Sequence, residues 1–182
     1  MPILVVITGP IGAGKSSVAL ALANRLSEQG RSAAVVDLDD TVATLHAPTE
    51  DAEQTWDIAR AIHGRLVGEW LAAGVDVVIA HGPFYSRAED AALMSRVPAL
   101  SARRRVMILA TYEVALERVA SDPSRGLSKD PAFLRSAFFD LLPDIAPCEW
   151  TFDSTKCSLG DVVATIADTL QRIEDPDPPE GQ

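Results

Sequence analysis

Residues 3–17 read Ile-Leu-Val-Val-Ile-Thr-Gly-Pro-Ile-Gly-Ala-Gly-Lys-Ser-Ser, and this stretch decides the fold. Its first five residues are an unbroken apolar run, the pattern of a strand buried on both faces. Residues 9–16 then match G-x-x-x-x-G-K-[ST] in full, and Val18, Leu22 and Leu26 with Ala19 and Ala23 follow at helical spacing. Strand, glycine loop and helix, in that order, are the context that a phosphate-binding reading of the motif requires. Gly9, Gly12 and Gly14 let backbone N–H groups turn inward around a phosphate chain, and a helix starting near Lys15 adds its positive dipole end. The residues expected to hold a nucleoside triphosphate are therefore Gly9, Ile11, Gly12, Ala13, Gly14, Lys15, Ser16 and Ser17. Lys15 is expected to reach the β- and γ-phosphates, and the Ser16 hydroxyl to complete a Mg²⁺ shell.

Outward from this stretch, short apolar runs alternate with longer helical patterns, the signature of a parallel sheet. Strands are expected at 3–8, 33–37, 75–80, 105–110 and 149–153. Helices are expected near 15–29, 53–73, 87–96, 112–121, 131–141 and 159–173, with Gly30 and Gly74 ending the first two. In the second helix Trp56, Ala59, His63, Leu66 and Trp70 share one stripe, which predicts the face that packs on the sheet. Segments 40–55 and 81–90 leave the carboxyl ends of strands, where ligands of open α/β sheets bind. Arg103-Arg104-Arg105 reads as a solvated turn before a strand. The fold class is α/β, a three-layer sandwich with helices on both faces of a parallel sheet.

Composition narrows the partners. The 182 residues suit one domain, spanning 1–173, with a core that needs no staples. Lys+Arg 16 against Asp+Glu 26 gives a net charge of −10, which argues against nucleic acid or an anionic membrane as partner. Cys148 and Cys157 lack metal-ligand spacing and read as idle, reduced thiols of a cytoplasmic protein. The tail 174–182 is acidic, proline-rich and without apolar residues, the composition of a disordered segment. The residues name no oligomeric state.

The second strand ends in Asp37-Leu38-Asp39-Asp40. Strand alternation would place Asp37 and Asp39 on one side and Leu38 on the other, with Asp40 capping a helix or solvated. Two same-side carboxylates beside a phosphate loop can divide the work. One holds Mg²⁺ and the other takes a proton from an attacking hydroxyl. The competing reading has all three merely capping a turn.

The glycine loop, followed about twenty residues later by Val-Val-Asp-Leu-Asp, resembles shikimate kinase. Over 1–173 the chain is similar to the wider small-molecule kinase group with a nucleoside-monophosphate-kinase-like P-loop NTPase fold, which includes gluconate kinase and chloramphenicol phosphotransferase. The resemblance implies a five-stranded sheet of order 2-3-1-4-5, Asp37 on the Mg²⁺ side, and Asp39 as base toward the acceptor. It implies that a segment near 121–131 is a lid, with Arg118 on the adenine side and Arg125 toward the β- and γ-phosphates. Asp153-Ser154-Thr155 matches where relatives place an adenine-contacting loop. Two departures stand out. His81-Gly82-Pro83-Phe84-Tyr85 replaces a glycine triplet, and the nearest candidate for a carboxylate-binding arginine is Arg60.

The expected enzyme is an ATP-dependent phosphotransferase with an alcohol acceptor, using MgATP on a small-molecule hydroxyl that is antibiotic-like or shikimate-like. Its acceptor side would draw on Asp39, Arg60, His81, Phe84 and Arg87. His81 has a second reading, as a satisfied structural residue at a strand end, and His63 reads as packing. Two alternatives share the loop. One is a nucleoside or nucleotide kinase using Arg60 and Arg87 for an acceptor phosphate; the other is an ATP-binding switch or ATPase with no acceptor.

Overall fold

The computed structural model describes residues 1–46, 52–99, 101–123, 127–139 and 147–174. Five strands form one parallel sheet: β1 (Ile3–Thr8), β2 (Ala33–Asp37), β3 (Val77–His81), β4 (Ala102–Leu109) and β5 (Trp150–Asp153). Their order is β2-β3-β1-β4-β5, as the resemblance implied. β1 is central and every one of its residues is buried. Ile3, Val5 and Ile7 point into α1 (Lys15–Glu28) and α7 (Leu159–Glu174), meeting Val18, Leu22, Ile166 and Leu170. Leu4 and Val6 point the other way, toward Ala59, Val67 and Leu71 of α3 (Ala52–Ala72) and Leu93 of α4 (Arg87–Met94). Each such buried aliphatic side chain contributes roughly 1.5–3 kcal/mol. This two-sided core fixes where the strand ends lie.

A third, smaller cluster matters for the site. Ala115 and Val119 of α5 (Tyr112–Ser121) pack with Leu134 and Phe138 of α6 (Pro131–Phe139), and Ile11 of the glycine loop rests on them. Thr111 caps α5, and Pro131 opens α6 at the position where a missing N–H costs nothing. The phosphate loop is thus wedged between the sheet and a helical pair.

Four expectations need correction. β4 begins at Ala102, so the arginine run lies inside a strand and not in a solvated turn. The Arg105 N–H donates to Glu149 at 2.7 Å and its guanidinium pairs with Asp90, which lets the cation sit half-buried. On α3 the buried stripe is Ala59, His63, Val67 and Leu71, a run at strict four-residue spacing. Leu66 and Trp70 lie one helical step away and are 44% and 43% exposed. Segment 40–55 opens with an unforeseen helix, α2 (Leu38–Ala43). Finally, α7 runs to Glu174, one residue beyond the expected end; the rest of the acidic tail lies outside the described residues. Among the described residues no helix is long and apolar enough to cross a membrane.

Candidate nucleotide and acceptor site

The loop between β1 and α1 takes its shape from close backbone approach. Gly9 has φ 140°, and a Cβ there would stand 2.0 Å from the Ile108 carbonyl oxygen of β4. Gly12 has φ 77°, and a Cβ there would stand 2.8 Å from the Ala115 carbonyl of α5. Only glycine lets the loop lie this close to both neighbours. α1 then starts at Lys15 with no side-chain cap, which leaves its first N–H groups as anion donors. Lys15 Nζ donates to the carbonyls of Gly9 at 3.0 Å and Pro10 at 3.1 Å. Ser16 and Ser17 are exposed at the start of the helix, and Ala13 is buried beneath the loop.

The outer rim of the loop is held by Arg118. Its Nη1 donates to the carbonyls of Gly12 at 3.1 Å and Ala13 at 3.3 Å and to Ser154 Oγ at 2.9 Å; Nη2 donates to the Ser154 carbonyl at 3.2 Å. Ser154 Oγ in turn donates to the Ala13 carbonyl at 2.8 Å. The structure thus brings together Arg118 and the 153–155 turn, which the resemblance had put on the adenine side. Asp153 shapes that turn by accepting from Thr155 N–H at 3.0 Å and from the Thr155 hydroxyl. The Thr155 hydroxyl and Lys156, at 2.9 Å, hold the Asp153 carboxyl down to about 2. A shallow groove of about 440 Å³ runs along α5, lined by Val114, Glu117, Arg118, Ser121 and Asp122. None of Lys15, Asp37 or Asp39 lines it.

On the other side, β2 ends at Asp37 as expected, but strand alternation does not carry on to Asp39. Asp37 is the N-cap of α2: its Oδ1 accepts from Asp39 N–H at 2.8 Å. Asp39 and Asp40 therefore occupy the first turn of a helix, both exposed, instead of continuing a strand. A short side chain that captures the N–H two residues on is what turns the chain. Leu38 drops into the core beneath Gly82, where a Cβ would come within 2.7 Å of the leucine's own Cβ.

Asp37 and His81 are register partners on adjacent strands, with Nε2 3.6 Å from Asp37 Oδ2. His81 is only 2% exposed, so it ends β3 beneath the site and does not line an open mouth. Burial lowers its pKa to about 4, Lys15 pushes in the same direction, and Asp39 and Asp40 oppose. Burial likewise raises the Asp37 carboxyl, partly offset by the Asp39 N–H and by Lys15. The remaining donors are hard oxygens, the Ser16 hydroxyl and the Asp37 carboxylate, which suit a Mg²⁺ that keeps waters and phosphate oxygens in its shell. Among the described residues no cluster of three His, Cys, Asp or Glu could hold a metal by itself.

Two acceptor-side expectations change. Phe84 is 1% exposed and tilts against the His63 ring at 5.7 Å, so it belongs to the core under α3 and not to a substrate surface. Arg60 is already engaged: it donates to Glu89 at 2.5 Å and to Asp57 at 3.1 Å, and lies over the Trp56 ring. Arg87 is exposed at the first position of α4. Arg125 lies outside the described residues, as do 124–126 of the expected lid. His63 is packing, as read: it is fully buried, bonded through Nε2 to the Val36 carbonyl at 3.1 Å.

One residue escaped notice, Glu89, and Tyr85 was read only as part of the loop after the third strand. Glu89 accepts from the N–H groups of Tyr85 at 2.7 Å and Ser86 at 2.9 Å while also holding Arg60. The Ser86-x-x-Glu89 spacing is a capping-box signal and could have revealed it. Tyr85 is nearly buried, and its hydroxyl lies 3.5 Å from the Gly9 carbonyl that Lys15 also contacts. No local pattern marks that contact.

A parallel sheet of this order, a glycine loop opening α1 and carboxylates at the carboxyl end of β2, one strand removed from β1, define a P-loop domain. The AAA domain family matches residues 4–128, and the chain belongs to it. Among solved structures it is similar to shikimate kinase from Bacteroides thetaiotaomicron, with TM-score 0.69, 18% identity, and 93% of this chain and 98% of that chain covered. It is similar to APS kinase from Mycobacterium tuberculosis, solved with AMPPNP and APS, with TM-score 0.70, 19% identity, and 93% and 98% covered. A gluconokinase from Sinorhizobium meliloti 1021 aligns with TM-score 0.59, 19% identity, and 96% and 94% covered. At these identities the likeness establishes the shared fold. No curated protein matches the chain by sequence.

Proposed function

We propose that the protein is an ATP-dependent kinase that transfers the γ-phosphoryl group of MgATP to a hydroxyl of a small molecule. One observation carries the reading: the acidic turn 37–40 opens at the same sheet edge as the phosphate loop, and Lys15 is near enough to perturb both Asp37 and His81. Solved neighbours that are themselves shikimate kinase, APS kinase and gluconokinase support it at the level of the fold.

In this reading the loop N–H groups and Lys15 cradle the phosphates, and Ser16 with Asp37 would hold Mg²⁺, which supplies charge neutralisation on the phosphate oxygens. Asp37 suits the holding role because its capping bond to Asp39 N–H and its neighbour His81 fix the carboxylate in place. Asp39, exposed two residues further on, orients the acceptor hydroxyl and takes its proton as the oxygen attacks in line. Arg118 supports the base side. Arg125 stabilises the transferring group, and Arg125→Ala should lose about 10³-fold or more in kcat.

The acceptor is a hydroxyl compound without an obligatory carboxylate or phosphate. Arg60 is committed to Glu89 and Asp57, and the acceptor-side turn presents Asp39 and Asp40. A neutral or amine-bearing alcohol fits this balance better than shikimate or a nucleoside monophosphate, the acceptor that a nucleotide kinase would need Arg60 and Arg87 together to hold. ADP formation from MgATP across sugars, amino sugars, hydroxylated antibiotics, shikimate, nucleosides and nucleoside monophosphates tests it. Stimulation by a neutral or amine-bearing alcohol that disappears in Asp39→Ala is expected. ADP release that no acceptor changes would replace the kinase reading with an ATPase or switch.

A further inference from the structure

We infer that Ser154 is a positioning residue for the nucleotide base, acting through Arg118; the inference rests on the nucleotide-binding reading above. Four donor contacts tie the Arg118 guanidinium edge-on to Gly12, Ala13 and Ser154. A guanidinium whose in-plane donors are used in this way keeps its flat faces for stacking. Ser154 sets that plane. Its carbonyl and hydroxyl each accept from Arg118, and the hydroxyl donates its own hydrogen bond to the Ala13 carbonyl. Its backbone is fixed independently, because Ser154 N–H donates to the Leu109 carbonyl at 2.8 Å at the end of β4. The serine is therefore a fixed post bridging the outermost strand, the phosphate loop and α5, residues 36 and 141 positions apart in the chain.

Without the Ser154 hydroxyl, Arg118 loses its shortest contact, at 2.9 Å, together with the hydroxyl's link to the Ala13 carbonyl, and is held only by the longer contacts of 3.1–3.3 Å. A long exposed side chain then samples several rotamers, and a base must order it on arrival. The Nη1 contacts and one Nη2 contact turn most of the guanidinium's hydrogen-bonding edge toward the protein and away from a base edge. Its contribution is stacking, which any purine receives.

Calorimetric titration of ADP, GDP and inorganic tripolyphosphate into the wild-type chain, Ser154→Ala, Ser154→Thr and Arg118→Ala tests this without an acceptor. Ser154→Ala should weaken ADP and GDP alike by about tenfold, leave tripolyphosphate within about twofold, and be rescued by Ser154→Thr. In turnover the same variant should raise KM for ATP more than it lowers kcat. Arg118→Ala should weaken ADP at least as much as Ser154→Ala. Unchanged ADP affinity in Ser154→Ala would overturn the inference while leaving nucleotide binding intact. So would an equal loss for tripolyphosphate, which would make Ser154 a support of the phosphate loop. A wild-type chain that binds neither ADP nor tripolyphosphate would remove the nucleotide reading, and the positioning role with it.

Discussion

Phe84 and Asp39 are both within the acceptor-side sequence, yet burial separates their fates. Phe84→Ala removes a ring that is 1% exposed and leaves a cavity under α3, so a loss of about 3–5 kcal/mol is expected, read as a lowered urea midpoint. KM for any acceptor should change little beyond what instability causes; a selective KM effect at full stability would return Phe84 to the substrate surface. Asp39→Asn is expected to lower kcat by about 10²–10⁴-fold while MgATP affinity holds. Asp37→Asn should instead raise the Mg²⁺ concentration needed for half-maximal rate. If Asp37→Asn alone abolishes turnover at saturating Mg²⁺, the two carboxylates exchange roles. The motif at 9–16 was legible residue by residue because phosphate binding needs consecutive backbone groups. Burial of Phe84 depends on His63, twenty-one positions earlier, and no local pattern carries that.

Elements were read well where their period was unbroken and poorly where a side chain intervened. β1, α1 and α5 lie where the pattern put them. α2 was missed because Asp37 captures Asp39 N–H, so the chain turns just where alternation seemed to continue. The arginine run misled because Asp90 and Glu149, which accept from Arg105, come from elsewhere in the chain. At this scale Gly82 is the sensitive joint, with φ 154° and Leu38 Cβ 2.7 Å from where a Cβ would stand. Gly82→Ala should destabilise by more than about 1 kcal/mol and also lower turnover, because Leu38 lies within the turn that carries Asp37 and Asp39. A stable variant with lost activity fits the same joint; a stable and fully active one would show that the contact is slack. Glu89→Ala should cost about 2–3 kcal/mol in thermal or urea unfolding, since it strands two N–H donors and removes one of the two carboxylates that hold Arg60. Glu89→Gln, which retains one acceptor oxygen, should cost less.

Across the whole molecule, the buried histidines set a pH dependence of stability. His63 has its pKa lowered by burial to about 4 from an ordinary 6.5. Between those values the unfolded chain binds a proton that the folded chain refuses, so stability rises with pH through this window. The slope from His63 alone is up to about 1.4 kcal/mol per pH unit, and it vanishes below about pH 4, where both states are protonated. Urea midpoints measured between pH 4 and 7 should climb in the wild-type chain and climb less in His63→Gln. An identical climb in the variant would assign the dependence to other groups.

The contacts of Lys15 with the Gly9 and Pro10 carbonyls have a calorimetric consequence. Arrival of a phosphate is an exchange of ligands around an ammonium group, not an addition to a bare one. The heat released is the difference between phosphate oxygens and two peptide oxygens, smaller than a tally of new bonds suggests. Replacing the lysine forfeits that difference and also frees two carbonyls to repel the incoming anion. The affinity lost in Lys15→Ala should therefore exceed what the lysine's favourable heat of binding alone accounts for.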